Sequence, residues 1–405
     1  MPARHNAHDA RLAGQIRRTL KRDTADLVDF ASKLIAIPSE NPPGTGYDAC
    51  ARLIARQLRQ LGLVVRTENP TGEGPCVIGT FGDSGRPLYF SGHYDVVPAQ
   101  QRAQFTPRVE KRNLHGRGAA DMKGGIAAMA FAIRALVASG FEPNGRLISV
   151  SVPDEETSGP RGTVALSGAG FIERDAIGML TMEPTAGVIW NANRGVITLR
   201  VTALGKEAHV GLSCRGVNAF SRMLTVAGMF GELEREVAQR RTRFNVTPDA
   251  ARASILLMGG ELSGGDNFNV VPDRASFTVD RRFNPEEDFE TEKGRLFDVI
   301  DRARAAGVDC EVEVMQEGIA AATEPATTLG KALAANVRDV STGRARFEIC
   351  PGVLETRHYA TLGVPAFAYG PGLLSVSHGP HEFVSIDKLV QCAEVYALTA
   401  ARLLA

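Results

Sequence analysis

The segments LYFSGHYDVVP, at residues 88–98, and HGRGAADMKGG, at residues 115–125, organise the rest of this chain. The first segment is an apolar run with aromatic residues that stops at a proline, and it predicts a buried strand with His93 and Asp95 at its end. Residues two apart on a strand share a face, so His93 can bind a metal while Asp95 holds its other ring nitrogen. Asp121 lies among glycines in the second segment, where the backbone can bend sharply and approach a ligand.

Two further strand-like runs also end in acidic residues. Residues 146–152 are followed by Glu155 and Glu156, and residues 177–182 are followed by Glu183. Open α/β sheets place their ligand sites at the carboxyl ends of strands, so we expect these side chains at one edge of a sheet. A histidine at a strand end and an aspartate in a turn each have ordinary structural roles. Three strand ends with similar chemistry favour a metal site instead.

Composition excludes several classes of protein. The 405 residues are too many for one ordinary core, and the 46 basic and 46 acidic residues give a net charge of zero, which does not favour nucleic acid or a membrane surface as a partner. The six cysteines form no CxxC pair, which favours reduced thiols over disulfides. The first residues lack the apolar core of a secretion signal, and the most apolar stretch is too short to span a bilayer. We therefore expect a cytoplasmic protein.

The order of the predicted elements indicates two domains. An exposed amphipathic helix is predicted at 10–22, and strands then alternate with helices in the pattern of an α/β fold. From residue 196 to 315 the order changes to βαββαβ, the ferredoxin-like unit of two split βαβ halves. We therefore predict a first domain formed by residues 1–193 and 317–405, with a second domain at 194–316 inserted in it.

A late histidine completes a set of metal-binding side chains. Taken with His378, the residues described above make the sequence resemble the M20 family of co-catalytic metallopeptidases and deacylases. The likeness spans nearly the whole chain after residue 24, and five motifs occur in the family's order and spacing. It implies a mixed-sheet, zinc-peptidase-like catalytic domain with an inserted ferredoxin-like α+β lid domain at 194–316, through which the chain would form a homodimer.

The resemblance implies two divalent metal ions per chain. One ion would be bound by His93 and Glu183 and the other by Glu156 and His378, with Asp121 bridging them. Imidazole and carboxylate ligands without thiolate suit zinc, and also cobalt or manganese. The family pattern at residues 377–383 aligns His378 with the ligand, although His381 is a second histidine in the same motif.

Glu155 resembles the general base of the family, and Asp95 the partner that orients His93. The two ions would acidify a bridging water, Glu155 would take its proton, and the hydroxide would attack an amide carbonyl.

Two features of the second domain also match the family. His209 resembles the lid histidine that reaches a partner subunit's site, although a solvated turn histidine is the simpler interpretation. Asn269, in the loop GGDNFNVVP at 264–272, would help to bind the developing oxyanion.

Two arginines are candidates for binding a substrate carboxylate. Arg282 lies in a segment that matches the Asp-x-Arg-x-x-Pro pattern of the family, and a solvated arginine at a strand end is its alternative interpretation. Arg357 ends the segment GVLETR at 352–357, which departs from the more common Gly-Thr-Ser-Asp-x-Arg. Residues 99–107 lack the tryptophan common in the family, so the rim of the pocket is less well defined than its metal ligands.

A deacylase is the favoured function, because deacylases and carboxypeptidases of the family carry glutamate at the position of Glu183. We expect hydrolysis of the amide bond of an N-acyl amino acid or a similar small carboxylate, with a metallo-carboxypeptidase or dipeptidase as the alternative. A non-catalytic binding protein is disfavoured because Glu155 and every metal ligand are present. A single-metal enzyme would not need Asn269 or His209.

Overall fold

A computed structural model describes the backbone of residues 2–341 and 343–405, and the side chains in those ranges from residue 10 onward. The helices are α1 (Pro2–Arg22), α2 (Thr24–Ile35), α3 (Tyr47–Gln60), α4 (Lys123–Ala138), α5 (Thr163–Gly168), α6 (Ala219–Val237), α7 (Phe289–Ala305), α8 (Thr328–Ser341), α9 (Thr356–Thr361) and α10 (Ile386–Leu404). None of the helices in the described residues combines the length and the hydropathy that a membrane span requires.

The strands are short in the first part of the chain and longer in the middle. They are β1 (Val64–Glu68), β2 (Cys76–Phe81), β3 (Pro87–His93), β4 (Arg108–Glu110), β5 (Asn113–His115), β6 (Arg146–Val152), β7 (Gly178–Thr181), β8 (Ile189–Asn193), β9 (Gly195–Leu204), β10 (Ala208–His209), β11 (Ile255–Gly264), β12 (Val270–Val271), β13 (Arg274–Phe283), β14 (Cys310–Gly318), β15 (Ala321–Ala322), β16 (Phe347–Cys350), β17 (Ala366–Ala368) and β18 (Phe383–Ser385).

The chain divides into two compact units. Unit 1 comprises residues up to Asn191 together with Thr323–Phe347 and Glu355–Ala405, and unit 2 comprises Ala192–Ala322 and Glu348–Leu354. The main sheet of unit 1 has the strand order β1-β2-β6-β3-β7-β17-β8. Strands β6, β3, β7 and β17 run parallel to one another, whereas β1, β2 and β8 pair antiparallel with their neighbours, so the sheet is mixed.

Strand β3 shows why the centre of this sheet is buried on both faces. Successive side chains of a strand point to opposite faces. Leu88 and Phe90 belong to the large core cluster that includes α4 and α10, while Tyr89 belongs to the cluster on the other face. A run without polar alternation is therefore required here, as in other parallel strands covered on both sides.

Helix α1 is less exposed than its sequence suggested. Ile16 and Leu20 are completely buried and belong to the core cluster of α4 and α10, and Arg17 forms an ion pair with Glu394 of α10. The prediction of an amphipathic helix was right, but the prediction that it is exposed was wrong for one of its faces. The sequence showed the apolar stripe without showing what covers it.

Unit 2 is built on a four-stranded antiparallel sheet of order β11-β13-β9-β14. With α6 and α7 between the strands in chain order, this is the predicted ferredoxin-like arrangement, and the fold class is confirmed. Helix α7 begins where the Asp288 side chain accepts a hydrogen bond from the Thr291 amide at 2.9 Å, an N-cap that local sequence can encode.

A small sheet of order β18-β5-β4 was not predicted. Its strands have three residues each, too few to show a periodic pattern. Phe383 pairs with His115, which brings the chain just before the last helix beside the segment that leads to Asp121.

Candidate metal centre

Three neighbouring strand ends of unit 1 carry the candidate residues. In the register of the sheet His93 lies opposite Val152, the last residue of β6, and Ser91 lies opposite Thr181, the last residue of β7. Because β6, β3 and β7 are parallel, the residues that follow each strand meet at the same edge of the sheet. His93, Glu155, Glu156 and Glu183 are thereby brought together at this edge by the strands.

Two groups of side chains at this edge can each hold a metal ion. Their ligand atoms lie within 4.8 Å of one another, and Asp121 belongs to both groups. The groups are His93, Asp121 and Glu183, and Asp121, Glu156 and His378. Asp121 Oδ1 lies 3.2 Å from His93 Nε2, and its other oxygen, Oδ2, lies 3.4 Å from His378 Nε2. The two oxygens of one carboxylate thus face different groups, as a bridging ligand requires.

The spacing of the donor atoms fits divalent cations. Two ligands of a tetrahedral zinc ion at 2.0–2.1 Å are about 3.3 Å apart. His378 Nε2 lies 3.1 Å from Glu156 Oε2, and His93 Nε2 lies 3.9 Å from Glu183 Oε1. Glu183 Oε1 is buried and has no hydrogen-bond partner among the residues that the structure describes. A buried carboxylate oxygen without a donor is costly unless a cation binds it.

Asp95 connects His93 to the neighbouring strand end. Its Oδ1 lies 3.3 Å from His93 Nδ1, and its backbone carbonyl lies 3.1 Å from the same nitrogen. The Asp95 carboxylate also accepts hydrogen bonds from the backbone amides of Glu155, at 3.2 Å, and Glu156, at 3.1 Å. The side chain therefore orients His93 and fixes the two adjacent glutamates at the same time.

Sequence reasoning missed Asn41, which lies in a loop that was interpreted only as a helix stop. Its side-chain amide donates to Asp95 Oδ2 at 2.9 Å, and it lies 3.1 Å from both Asp154 Oδ1 and Thr157 Oγ1. The residue is 1% exposed. A buried amide that satisfies three polar groups from distant segments cannot be recognised from local pattern, because its partners lie more than 50 positions away.

The pKa values of the carboxylates reflect burial and mutual repulsion. Burial raises the pKa of Glu156 to about 7 and raises the pKa of Glu183 well above its usual value, and the charge of Asp121 adds to both effects. Burial also raises the pKa of Glu155. Negative charge in this cluster is therefore unfavourable without added positive charge, which is the condition that favours divalent cations.

The histidines respond in the opposite direction. Hydrogen bonds to Asp121 and Glu156 raise the pKa of His378 to about 10. Burial alone would lower the pKa of His93, but contacts with Asp121 and Asp95 outweigh it and raise that pKa well above its usual value. Each imidazole thus lies close enough to carboxylates for both kinds of group to bind the same metal ion.

Arg357, the substrate-binding candidate in unit 1, lies in α9 and is 3% exposed. Burial lowers the pKa of its guanidinium, while the charges of Glu155 and Glu355 oppose that change. Glu355 accepts a hydrogen bond from the Thr163 hydroxyl at 2.6 Å, and burial raises the pKa of its carboxyl to about 7. An arginine and a second glutamate therefore lie within electrostatic range of Glu155.

The remaining candidates lie in unit 2. His209 pairs with Val270 in the ribbon formed by β10 and β12, and the amide of Val210 donates to the carbonyl of Asn269 at 2.9 Å. The structure therefore places His209, which is exposed, beside Asn269, which is partly buried, on one two-stranded ribbon. Arg282 forms a bidentate pair with Asp280 on its own strand, at 2.6 and 2.9 Å. Two nitrogens of its guanidinium therefore already donate hydrogen bonds within unit 2.

Comparison with known proteins identifies relatives over most of the chain. The sequence profile of "Peptidase family M20/M25/M40" matches residues 89–402. A succinyl-diaminopimelate desuccinylase of Gluconacetobacter diazotrophicus is 30% identical over 394 residues, which cover 93% of this chain and 96% of the relative.

Solved structures show a similar fold at lower identity. The M20 family metallo-carboxypeptidase Sso-CP2 of Sulfolobus solfataricus has a TM-score of 0.77 at 17% identity, covering 94% of this chain and 99% of the other. A dinuclear metal-binding peptidase of the M20 family from Bacillus subtilis has a TM-score of 0.67 at 15% identity, covering 95% of this chain and 99% of the other.

Proposed function

This chain belongs to peptidase family M20/M25/M40 and is a metal-dependent amide hydrolase, and from this premise we propose that it removes the acyl group from an N-acyl amino acid or a similar small carboxylate. The observation that carries the proposal is the double set of ligands that shares Asp121. Two ions held side by side by one carboxylate suit the hydrolysis of an amide, whose carbonyl must be polarised while water is activated.

We assign the ligands as the two groups describe them. His93 and Glu183 would hold one ion, Glu156 and His378 the other, and Asp121 both. Zinc is the preferred metal because the donors are imidazole nitrogens and carboxylate oxygens, with cobalt or manganese as alternatives. When bound, the two ions would supply Lewis acidity and lower the pKa of water at the site.

Glu155 is the proposed proton carrier of the reaction. Its Oε2 lies 3.9 Å from His93 Nε2, and its backbone amide is held by Asp95. A carboxylate in this position takes a proton from the attacking water at one of its oxygens and later gives it to the leaving nitrogen. Burial, which raises the pKa of Glu155, makes the carboxylate more basic and suits it to both steps.

Arg357 is the better placed of the two arginine candidates for binding a substrate carboxylate. It belongs to the same unit as Glu155, and the charge of Glu155 acts on its guanidinium. A guanidinium can grip a carboxylate through two parallel hydrogen bonds, which would orient the acyl or amino acid portion of the substrate.

The test is a hydrolysis screen of the metal-loaded protein. N-succinyl, N-acetyl and N-formyl amino acids would be compared with a panel of dipeptides, each with and without a chelator. We expect chelator-sensitive cleavage of one acyl class, because the relative named as a desuccinylase shares 30% identity over nearly the whole chain. Absence of cleavage of every N-acyl substrate by a protein that holds two ions would contradict the deacylase proposal.

A carboxypeptidase or dipeptidase is the second candidate function. The structural neighbour that is named as a metallo-carboxypeptidase favours it, since the fold accommodates that activity. Cleavage of dipeptides alone in the same screen would decide for this candidate, and the assignment of ligands and of Glu155 would be unchanged.

We also propose that the chain forms a homodimer through unit 2. Strand β11 lies at the edge of its sheet and exposes Leu257 and Leu262, and α6 exposes Phe220 and Leu224. An unpaired strand edge beside exposed apolar residues favours pairing with a second copy.

If His209 acts on the partner's site, mixing a His209→Ala chain with a Glu155→Ala chain should restore part of the activity. A confirmed dimer without such restoration would argue against a role in the partner's site. The cytoplasmic location stays a prediction.

A further inference from the structure

His378 is placed differently from the other imidazole of the site. His93 lies on β3 and is 1% exposed, so its strand and the core position it. His378 lies in the loop between β17 and β18 with φ of +63°, and its side chain is 51% exposed. Among the described residues, His378 lies outside every helix and strand, so contacts of its side chain and its backbone must set its position.

The carbonyl of His378 receives two side-chain hydrogen bonds from one distant segment. Gln100 Nε2 donates to it at 2.9 Å and Arg117 Nη2 at 3.1 Å. Gln104 Nε2 donates to the next carbonyl, that of Gly379, at 3.1 Å. Arg117 Nη2 also donates to Gln100 Oε1 at 2.9 Å, so the two donors brace each other.

Arg117 is in turn anchored to the backbone of the bridging ligand. Its Nη1 donates to Glu382 Oε2 at 2.6 Å, and both side chains are buried. Glu382 Oε1 accepts hydrogen bonds from the amides of Ala120, at 2.9 Å, and Asp121, at 3.1 Å. One connected set of side chains therefore touches the backbone of both Asp121 and His378, two ligands of the same group.

We propose that Arg117 and Gln100 are positioning residues that set the His378 imidazole for binding the second metal ion. They act through the carbonyl of His378 and through Glu382, and neither is assigned as a metal ligand or as the base. The inference rests on the proposed two-ion site. It goes beyond that site because it makes the metal affinity of one ion site depend on residues that are not ligands.

The experiment is a calorimetric titration of zinc into the metal-free protein. In the wild-type protein we expect two binding events, and His378→Ala identifies the event that belongs to the second ion. Arg117→Met should weaken that event 10- to 100-fold, the usual effect of removing a group that orients a ligand. It should weaken the other event less, because Arg117 reaches that ion only through Glu382 and the backbone of the shared Asp121. Gln100→Leu, which keeps the pair between Arg117 and Glu382, should weaken the His378-dependent event by about 3- to 10-fold, a smaller loss because one donor remains.

Arg146→Met is the matched control. Arg146 forms a bidentate pair with Glu173 at the opposite end of β6, so its loss removes an arginine–glutamate pair without touching the site. Both binding events should then match those of the wild-type protein. The melting temperature of each metal-free variant separates a positioning role from general loss of stability, and Gln100→Leu decides the question if Arg117→Met does not fold.

Two results would overturn the inference. Equal weakening of both events by Gln100→Leu would show that these residues do not position His378. So would wild-type affinities in Gln100→Leu and Arg117→Met, or in Gln100→Leu alone if Arg117→Met does not fold. If the wild-type protein shows two binding events and both variants bind zinc with the same affinities, this inference is refuted and the proposed function is not. Absence of any His378-dependent event in the wild-type protein would refute the proposed function, and this inference with it.

Discussion

Two clusters of buried charge in this molecule satisfy their acidic groups in different ways. In unit 2, Arg281 is fully buried and pairs with Glu287 at 2.6 Å and with Glu292 at 2.7 Å, and Arg240 pairs with the same two carboxylates. In unit 1, the ion pairs of Asp121, Glu156 and Glu183 run to the imidazoles of His93 and His378. The carboxylates of the first cluster pair with guanidinium groups, which are permanently charged. Those of the second pair with imidazoles, and both imidazole and carboxylate are groups that can bind metals.

The difference shows how a structural charge network can be told from a binding site. Guanidinium groups are always charged and cannot bind a metal, so the network of unit 2 is complete within the chain. The carboxylates of unit 1 share one edge of a sheet, and Glu183 leaves a buried oxygen without a donor among the described residues. Such a cluster is stable in its ionised form only when further positive charge is supplied.

The largest expected effect is chemical and lies in unit 1. Glu155→Gln removes the proposed proton carrier while keeping its shape, so kcat should fall by about 10³- to 10⁴-fold. Because Glu155 is not a proposed ligand, the metal content should stay near two ions per chain. Activity on the best substrate of the screen and metal analysis provide the measurement, with Glu173→Gln as the control. Activity within 10-fold of the wild-type protein would exclude Glu155 as the base.

Breaking the network of unit 2 should affect stability and leave metal binding unchanged. Arg281→Met leaves Glu287 and Glu292 with less compensating charge in a buried place, and should lower the free energy of unfolding by about 3–5 kcal/mol. Denaturant unfolding measures the loss, and a zinc titration checks that both ions still bind. A loss of metal binding in a folded variant would mean that the two clusters are not independent.

Metal removal should destabilise the chain through unit 1. A site filled at 100 to 1,000 times its dissociation constant adds about 2.7–4.1 kcal/mol to the free energy of unfolding. We therefore expect a lower unfolding midpoint after chelation, restored by zinc, in both the wild-type protein and Arg281→Met. If zinc, cobalt and manganese all fail to stabilise the chelated protein, the carboxylate cluster is not a metal site.

A surface pair on the same strand as Arg281 should contribute least. Arg274 pairs with Glu311 at 2.7 Å, and both side chains are more than half exposed. Arg274→Met should change the free energy of unfolding by only about 0.2–1 kcal/mol, since water screens an exposed pair. Comparing the losses in the free energy of unfolding of Arg274→Met and Arg281→Met therefore measures how burial changes the effect of the same substitution. Equal losses in the two variants would contradict the importance given to the buried network.

The elements that build the site could be predicted because they have local signatures. An apolar run without alternation indicated a buried strand at β3, and the runs before Glu155 and Glu183 indicated two more. The order of elements in unit 2 was equally visible, and the fold class followed from that order.

The burial of α1 and the small sheet of β4, β5 and β18 were not foreseen. An apolar stripe such as that of Ile16 and Leu20 does not name its partner, and three-residue strands carry no period. Strands β4 and β5 form a local hairpin, but the cover of α1 and the pairing of β18 with β5 depend on segments that are distant in sequence, so no local pattern could report them.

The chemical groups available to this protein could be identified from the sequence alone: imidazoles and carboxylates at strand ends, and a glycine-rich segment around Asp121. These features are local, because strand period and turn composition act over a few residues. Folding is needed to set the two oxygens of Asp121 towards His93 and His378. It also brings Asn41 to Asp95 and Arg117 to the carbonyl of His378, in hydrogen bonds that join residues 54 and 261 positions apart. Contacts of that range exist only once the chain has folded, because closing such long loops costs entropy that the packed core must offset.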